Sequence, residues 1–387
     1  MKRVGIISLY HNSYNYGGVL QAFALNHILE SMGYDAEQID YAPQRKSHAE
    51  GTAKRYLREH SRLQLAAKAL RSLNKKIYGK TLGTKEKKGF AVRRKAFDQF
   101  KRQYMHASPV CNSSDIREVC SGYDVLICGS DQIWKPTVVD DAYMLAFARE
   151  QTRRFSYAAS LSVDTLAEHD QKRYAAWLQH LDGISVREES SVSLLTPLTD
   201  KPVEWVCDPT LLIAKETWMD LAKEAEPASM EAPYLFCYFL GDDAVFRRNA
   251  KAYAKKHHLK IVMFPNLQQK PVPADNHFGD VRVYDASPLR FVKLIQNAQC
   301  VMTDSFHATA FSLNLNVPFF VFERSAITSM NARILSILSA VSCEDRFMPD
   351  CRLVYMESDK EIDWDTVNSA LGKMRETSLN YLTKWLV

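Results

Sequence analysis

The chain has 387 residues, 46% of them hydrophobic, with 14 glycines and 14 prolines, the make-up of a globular protein long enough for two domains of roughly 150 residues each. No apolar run approaches the ~20 residues of a membrane span, and the eight cysteines include no Cys-x-x-Cys pair, which points to neither a zinc site nor a disulfide framework and suits a reducing cytoplasm. The formal net charge of +5 is unevenly spread: Arg45 to Arg102 holds 19 Lys/Arg against 4 Asp/Glu, a local balance of +15 that leaves the remainder near −10.

Strand-like and helix-like segments alternate almost throughout. Val4–Leu9 reads as the first strand, too short an apolar run after Lys2 and Arg3 for a signal peptide. A helix follows over Val19–Met32, with apolar positions Leu20, Phe23, Ala24, Ile28 and Leu29, and Gly33 ends it. Ala36–Tyr41 is the next strand. The basic segment then reads as helices joined by a loop near Gly83–Gly89. It is either a solvated helical hairpin on the first domain or a docking surface for an anionic partner, such as a lipid-linked phosphate at a membrane. Nucleic acid is not expected, because stacking aromatics are not interleaved with the charge and no reader motif occurs.

Val125–Cys128, Phe155–Ala159, Gly183–Val186 and Val203–Cys207 are further strands, with a helix over Asp164–Leu181. Leu211–Pro233 supplies a helix and a linker. A second series follows: strand Tyr234–Leu240, helix Ala244–His257, strands Ile261–Phe264 and Val281–Tyr284, helix Leu289–Asn297, strand Cys300–Met302, helix Ala308–Leu315 and strand Phe319–Phe322. The predicted fold is α/β, with two Rossmann-like domains facing across a cleft. Residues 1–210 form the first, with a basic helical insertion at about 45–105, and residues 234–362 the second. A last helix within 363–387 packs back across the junction. No internal repeat is visible at a period of 20–50 residues.

The loops at the carboxyl ends of these strands carry the candidate chemistry. Cys300-Val301-Met302 runs into Thr303-Asp304-Ser305, residues that cap helices well. His307 therefore falls in the first turn of a helix that starts at the end of a strand, where open α/β sheets bind ligands and helix N–H groups attract anions. It is either an acid catalyst beside an anion or a core histidine bonded to a carbonyl. The first strand leads through Asn15-Tyr16-Gly17-Gly18, either a close-approach ligand loop or a plain strand-to-helix turn. Gly129-Ser130-Asp131-Gln132-Ile133-Trp134 follows a fully apolar strand; it either caps the next element or meets sugar hydroxyls, with Trp134 stacking on the ring. Arg187 ends another strand, either binding a carboxylate or phosphate or paired with Glu188 or Glu189. Asp208, before Pro209, reads as a turn residue. No His/Asp/Glu spacing suggests a metal site and no Gly-x-Ser-x-Gly elbow occurs.

Taken in order, His11-Asn-Ser-Tyr-Asn-Tyr-Gly-Gly-Val-Leu-Gln21, Gly129–Trp134, Ser156-Tyr-Ala-Ala-Ser160, Ser185-Val-Arg-Glu-Glu-Ser190, Asp208-Pro-Thr210 and Thr303–His307 resemble the polysaccharide pyruvyl transferase family over residues 1 to about 325. The resemblance implies a fold similar to GT-B glycosyltransferases. It implies transfer of a pyruvyl group from phosphoenolpyruvate to two sugar hydroxyls as a cyclic ketal, with no cofactor and no metal. By that resemblance His307 matches the catalytic histidine and Arg187 the donor-binding arginine. Asp131, at the end of its strand, is read separately as orienting or deprotonating acceptor hydroxyls.

Asn15, Tyr16, Gly17, Gly18, Ser130, Gln132, Trp134, Asp304, Ser305, Phe306, Ala308, Thr309 and Arg324 are the expected substrate contacts. The chain departs from the family in having Ala308 where Gly is common and Ser305 where some branches carry Arg. Arg187 then carries more of the donor's charge, or Arg324, Arg333 or a lysine substitutes. The expected partners are phosphoenolpyruvate and a sugar acceptor, lipid-linked or free, with residues 45–102 at an anionic membrane on its cytoplasmic side. The alternatives are a nucleotide-sugar glycosyltransferase of GT-B type and a carbohydrate- or anion-binding protein without catalysis.

Overall fold

The structure is a computed structural model that describes residues 1–43, 84–225, 233–265, 267, 272–324, 331–349 and 361–387. Residues 44–83, most of the basic segment, lie outside the described residues, and the docking surface expected of 45–102 is described only from 84 on.

Six parallel strands build the first lobe: β1 (Arg3–Ile7), β2 (Asp35–Ile39), β3 (Val125–Cys128), β4 (Arg153–Ser156), β5 (Ile184–Val186) and β6 (Val203–Trp205). Their order is β2-β1-β3-β4, continued by the pair β5-β6 through bridges Phe155–Gly183 and Ala159–Val186. Bridges from Gln38 to Ala107 and from Tyr41 to Cys111 set an extended segment outside β2. The second lobe has β7 (Tyr234–Tyr238), β8 (Lys260–Met263), β9 (Val281–Arg282), β10 (Cys300–Thr303), β11 (Phe319–Phe322) and β12 (Phe347–Met348), ordered β12-β11-β10-β7-β8-β9 and all parallel. That is the doubly wound order, in which the winding reverses between β7 and β10. The strand sequences show why: Val-Leu-Ile-Cys in β3 and Phe-Phe-Val-Phe in β11 are buried at every position, as parallel strands covered on both faces must be.

One apolar core runs through both lobes. Phe23, on helix Tyr16–Ser31, meets Trp218, whose other side meets Phe311 on helix Phe306–Leu315. Tyr16 is clasped by Phe97, Phe264 and Phe291, and its hydroxyl donates to the Ala286 carbonyl (2.8 Å). The last helix, Trp364–Leu386, lies on the first lobe and reaches the second: Ser378 Oγ accepts from Cys207 N (3.0 Å), Tyr381 donates to Ser156 O (2.9 Å), and Arg375 donates to both Leu211 O (2.6 Å) and Asn314 Oδ1 (2.7 Å). Among the described residues, no helix is long and apolar enough to cross a membrane.

Three sequence expectations change. The loop near Gly83–Gly89 is helical from Thr84 on, within one helix, Thr84–Tyr104. Gly89 is there for contact rather than flexibility, since a Cβ on it would lie 2.4 Å from Tyr284 Cβ. The helix is also no solvated arm, because its Phe97 and Phe100 are buried against the first lobe. Gly17 and Gly18 likewise belong to the first turn of helix Tyr16–Ser31, capped by Asn15, whose Oδ1 accepts from Gly18 N (3.2 Å).

Candidate active site

Four element ends meet where the lobes face one another. Register pairs Val186 of β5 with Trp205 of β6, so Arg187 and Asp208 leave the same sheet edge side by side. Arg187 Nη1 donates to Asp208 Oδ2 at 2.7 Å. Its Nη2 lies 3.3 Å from Asp131 Oδ1, beyond the end of β3, and its Nε 3.5 Å from Glu188 Oε1. Phe306, from the second lobe, lies beneath the guanidinium, 4.5 Å from ring centre to Cζ, a cation–π contact.

His307 enters from the same helix start. Its Nε2 stands 3.6 Å from Asp208 Oδ2, and the ring is 7% exposed. The far side of the ring rests on Gly17: a Cβ there would lie 2.0 Å from Nδ1. Asp208 is thus the hub. Its Oδ1 accepts from Thr210 N (3.0 Å) and Thr210 Oγ1 (2.8 Å), capping the short helix Pro209–Leu212, while Oδ2 faces both Arg187 and His307.

Burial works to raise the Asp208 pKa, but His307 and Arg187 outweigh it and hold the carboxyl well below the usual carboxylate range. Asp131 is likewise held low against the effect of burial, by Arg187, His307 and Arg333. Burial alone would lower the Arg187 pKa; Asp208, Asp131 and Glu188 raise it instead. Asp131 also carries φ of 62°, a backbone conformation that costs a non-glycine residue ~1–3 kcal/mol and persists where its surroundings impose it.

A second cation group adjoins the first. Arg333 Nη1 lies 3.7 Å from Asp131 Oδ1, and the Gln132 amide oxygen, turned toward it, accepts from Arg333 Nη2 at 2.8 Å. Burial and then the nearby Arg187 push the Arg333 pKa down to about 10. Lys135 is lowered as well, by burial and then by Arg333 and Arg324. Three cations therefore crowd one side of the cleft. Arg187 Nε and Glu188 Oε1 face each other at 3.5 Å, His307 Nε2 faces Asp208 Oδ2 at 3.6 Å, and Arg333 Nε is buried without a hydrogen-bond partner among the described residues. Buried charges paired this loosely can take further hydrogen bonds from a ligand.

The structure thus assembles His307, Arg187, Asp131, Gly17, Gly18, Gln132 and Phe306. Other expected contacts serve the scaffold. Trp134 is fully buried, its Nε1 donating to Tyr143 O (3.2 Å), so its indole cannot stack on a sugar. Ser130 is buried with Oγ donating to Ala158 O (2.8 Å), and its N–H donates to Gln21. Tyr16 is buried in the seam between the lobes, bonded to Ala286. Asp304 accepts from the N–H groups of Leu240 and Gly241, both at 2.7 Å, tying β10 to the end of β7. Thr309 N–H and hydroxyl both donate to Ser305 O, at 3.1 and 3.0 Å, and Ala308 is buried. An anion at this helix start is left the N–H groups of 306 to 308, since that of Thr309 is already bonded. Ser305 is buried at the N-cap, Asn15 is exposed, and Arg324 lies beside Gly241, half-buried.

Sequence reasoning missed Asp208 as more than a turn residue and left Glu188 and Arg333 in secondary roles. One signal was present: opposite charges directly after two successive strands, which adjacent pairing brings together. Among the described residues, no group of three or more His, Cys, Asp or Glu is arranged to hold a metal ion.

Solved structures of similar shape cover nearly the whole chain. The UDP-GlcNAc 2-epimerase of Methanocaldococcus jannaschii, in complex with UDP-GlcNAc and UDP, is 12% identical with a TM-score of 0.54, covering 99% of this chain and 100% of that one. The UDP-N-acetylglucosamine 2-epimerase of Rickettsia bellii is 11% identical with a TM-score of 0.53, covering 100% and 97%. The UDP-GlcNAc 2-epimerase of Neisseria meningitidis, bound to UDP-GlcNAc, is 11% identical with a TM-score of 0.51, covering 98% and 100%. At these identities the likeness is one of fold, two Rossmann-like domains in the GT-B arrangement. None of the curated proteins matches the sequence. The polysaccharide pyruvyl transferase profile matches residues 15–325, most of the chain and every motif gathered at the cleft, so the chain belongs to the polysaccharide pyruvyl transferase family.

Proposed function

We propose that the protein transfers the pyruvyl group of phosphoenolpyruvate onto two hydroxyls of a sugar, forming a cyclic ketal. The acceptor belongs to a surface polysaccharide or its lipid-linked precursor, and residues 45–102 hold the enzyme at an anionic membrane surface. The observation that carries the reading is the meeting of His307 and Arg187, from opposite lobes, on the Asp208 carboxylate.

In this reading protonated His307 gives its proton to the methylene carbon of the enol, and Asp208 is the counter-charge of the imidazolium. The enol's double-bond electrons form the new C–H bond, and the adjacent carbon becomes electrophilic. A sugar hydroxyl adds there and releases its proton. The C–O bond to phosphate breaks, and a neighbouring hydroxyl closes the ketal, releasing a second proton.

Arg187 is matched by three carboxylates, so the donor's anionic groups fall to Arg333 and Lys135, with Arg324 adding positive charge. Asp131, held ionised, is a weak base; it orients Arg187 and Arg333 rather than taking the hydroxyl proton. Preorganised cations of this kind stabilise the charge that develops as phosphate departs.

The test is phosphate release from phosphoenolpyruvate by purified protein across a panel of free and lipid-linked glycosides, with His307→Ala alongside. Release dependent on both a glycoside and His307 supports the reading. Turnover of a nucleotide-sugar in place of phosphoenolpyruvate overturns it.

A further inference from the structure

Helix Thr84–Tyr104 buries residues 90, 93, 97 and 100, the spacing of a single helix face. Three of them are Phe90, Phe97 and Phe100; the fourth is Arg93, 1% exposed. This face lies along the seam between the lobes. Phe90 meets Tyr284 of the second lobe edge-on (6.2 Å between ring centres), and Phe97 meets Tyr16 (4.8 Å) and Tyr14 (6.0 Å) of the first. Arg93 stands between these contacts, its Cζ 5.0 Å from the centre of the Phe90 ring.

Among the described residues no carboxylate pairs with Arg93, and none of its three guanidinium nitrogens makes a well-formed hydrogen bond, the Tyr16 hydroxyl being a neutral neighbour within reach. The charge acts on the hydroxyls of Tyr16 and Tyr238, which places it near the end of β7, beside the reversal of winding where such sheets bind ligands. Carboxylates that act on the same hydroxyls are already engaged: Asp285 with Arg290 (3.1 Å), and Asp304 with the N–H groups of Leu240 and Gly241 (2.7 Å each). A buried guanidinium with no counter-charge is strongly unfavourable, and none of the described residues supplies one, so the position is suited to an anionic ligand. A guanidinium with every nitrogen open is shaped for bidentate hold on an oxyanion.

We propose that Arg93 is the receptor for a phosphate group bound at the seam between the lobes. The next residue after Tyr16 is Gly17, which carries the His307 ring, so this seam is continuous with the cleft. Because Arg93 is 1% exposed, an oxyanion reaches it only as the helix and the second lobe part, and holds them together once bound. Two sources offer that chemistry under the pyruvyl-transfer reading: the donor's phosphate and the diphosphate of a lipid-linked acceptor.

Thermal unfolding of the full-length protein tests this, with sodium chloride at matched ionic strength as baseline and with millimolar inorganic phosphate, pyrophosphate or phosphoenolpyruvate as probes. The wild-type melting temperature should rise by ~2–4 °C or more with at least one probe near saturation. Arg93→Met should melt at or above the wild-type temperature at baseline and should lose the rise; Arg93→Lys should keep part of it. A rise given by pyrophosphate and not by phosphoenolpyruvate assigns the phosphate to the acceptor, and the reverse assigns it to the donor. The proposal is overturned if no probe raises the wild-type temperature, or if Arg93→Met melts low at baseline, fails to fold or keeps the full rise. His307→Ala should keep the phosphate-induced rise, so its turnover bears on pyruvyl transfer alone.

Discussion

Gly17 supports the His307 ring from the opposite lobe, so closely that a methyl carbon placed on it would fall 2.0 Å from Nδ1 and 2.3 Å from Cγ. Gly17 sits in the first turn of a helix, where alanine is the better helix former by about 1 kcal/mol. Gly17→Ala should therefore leave the fold intact while displacing the imidazole. A misplacement of about 1 Å can cost on the order of 10²-fold in rate. Phosphate release should fall by at least that order, with the circular dichroism spectrum unchanged; full activity in the variant would mean that the ring's position is immaterial.

His307→Gln keeps a polar side chain of similar reach and removes the proton donor. General acid catalysis contributes ~10²–10⁴-fold. The variant should lose that much turnover, measured as glycoside-dependent phosphate release at saturating phosphoenolpyruvate, with its melting temperature within a few degrees of wild type. Activity within tenfold of wild type in a folded variant would remove the acid role.

The two-lobe architecture was legible because its signal is local. Continuous apolar runs such as Val125–Cys128 and Phe319–Phe322 have one comfortable home, a parallel strand covered on both faces. His307 and Arg187 were legible for the same reason, each lying just past such a run. Long-range packing hid the rest. Trp134 stands among polar residues in sequence, yet its backbone oxygen accepts from Tyr174 and its indole bonds to Tyr143. Gly89 resembles a helix breaker until Tyr284 of the other lobe is seen to lie against it. Asp208 satisfies its turn with one oxygen, so nothing nearby in the chain announces the arginine and histidine that share the other.

Arg333 illustrates a conflict between stability and binding. Its pKa is pushed down to about 10 by burial and by Arg187, so the folded state holds its proton less tightly than the unfolded chain. That costs stability at every pH below about 10, relieved only as pH rises past it. Arg333→Met should raise the melting temperature at neutral pH while weakening use of the anionic donor, seen as a KM for phosphoenolpyruvate raised at least tenfold. A lowered melting temperature with KM unchanged would instead make Arg333 a structural partner of Asp131 and Gln132.

Asp208 should dominate the acid limb of stability. With its folded pKa held below the usual value near 3.9, its contribution is fully present above that value and is lost as pH falls toward the folded one. Asp208→Asn leaves Arg187 buried with only Asp131 and Glu188 opposite it, at 3.3 and 3.5 Å. Breaking one partner of a buried pair costs ~3–5 kcal/mol. Denaturant unfolding at pH 7 should show a loss of that order in the variant. At pH 3 and below, the gap between variant and wild type should narrow, because the unfolded wild-type chain then binds a proton at Asp208 that the folded one does not. A gap of constant size from pH 7 to pH 2.5 would mean that the carboxylate charge contributes nothing and that only the cap on Thr210 matters.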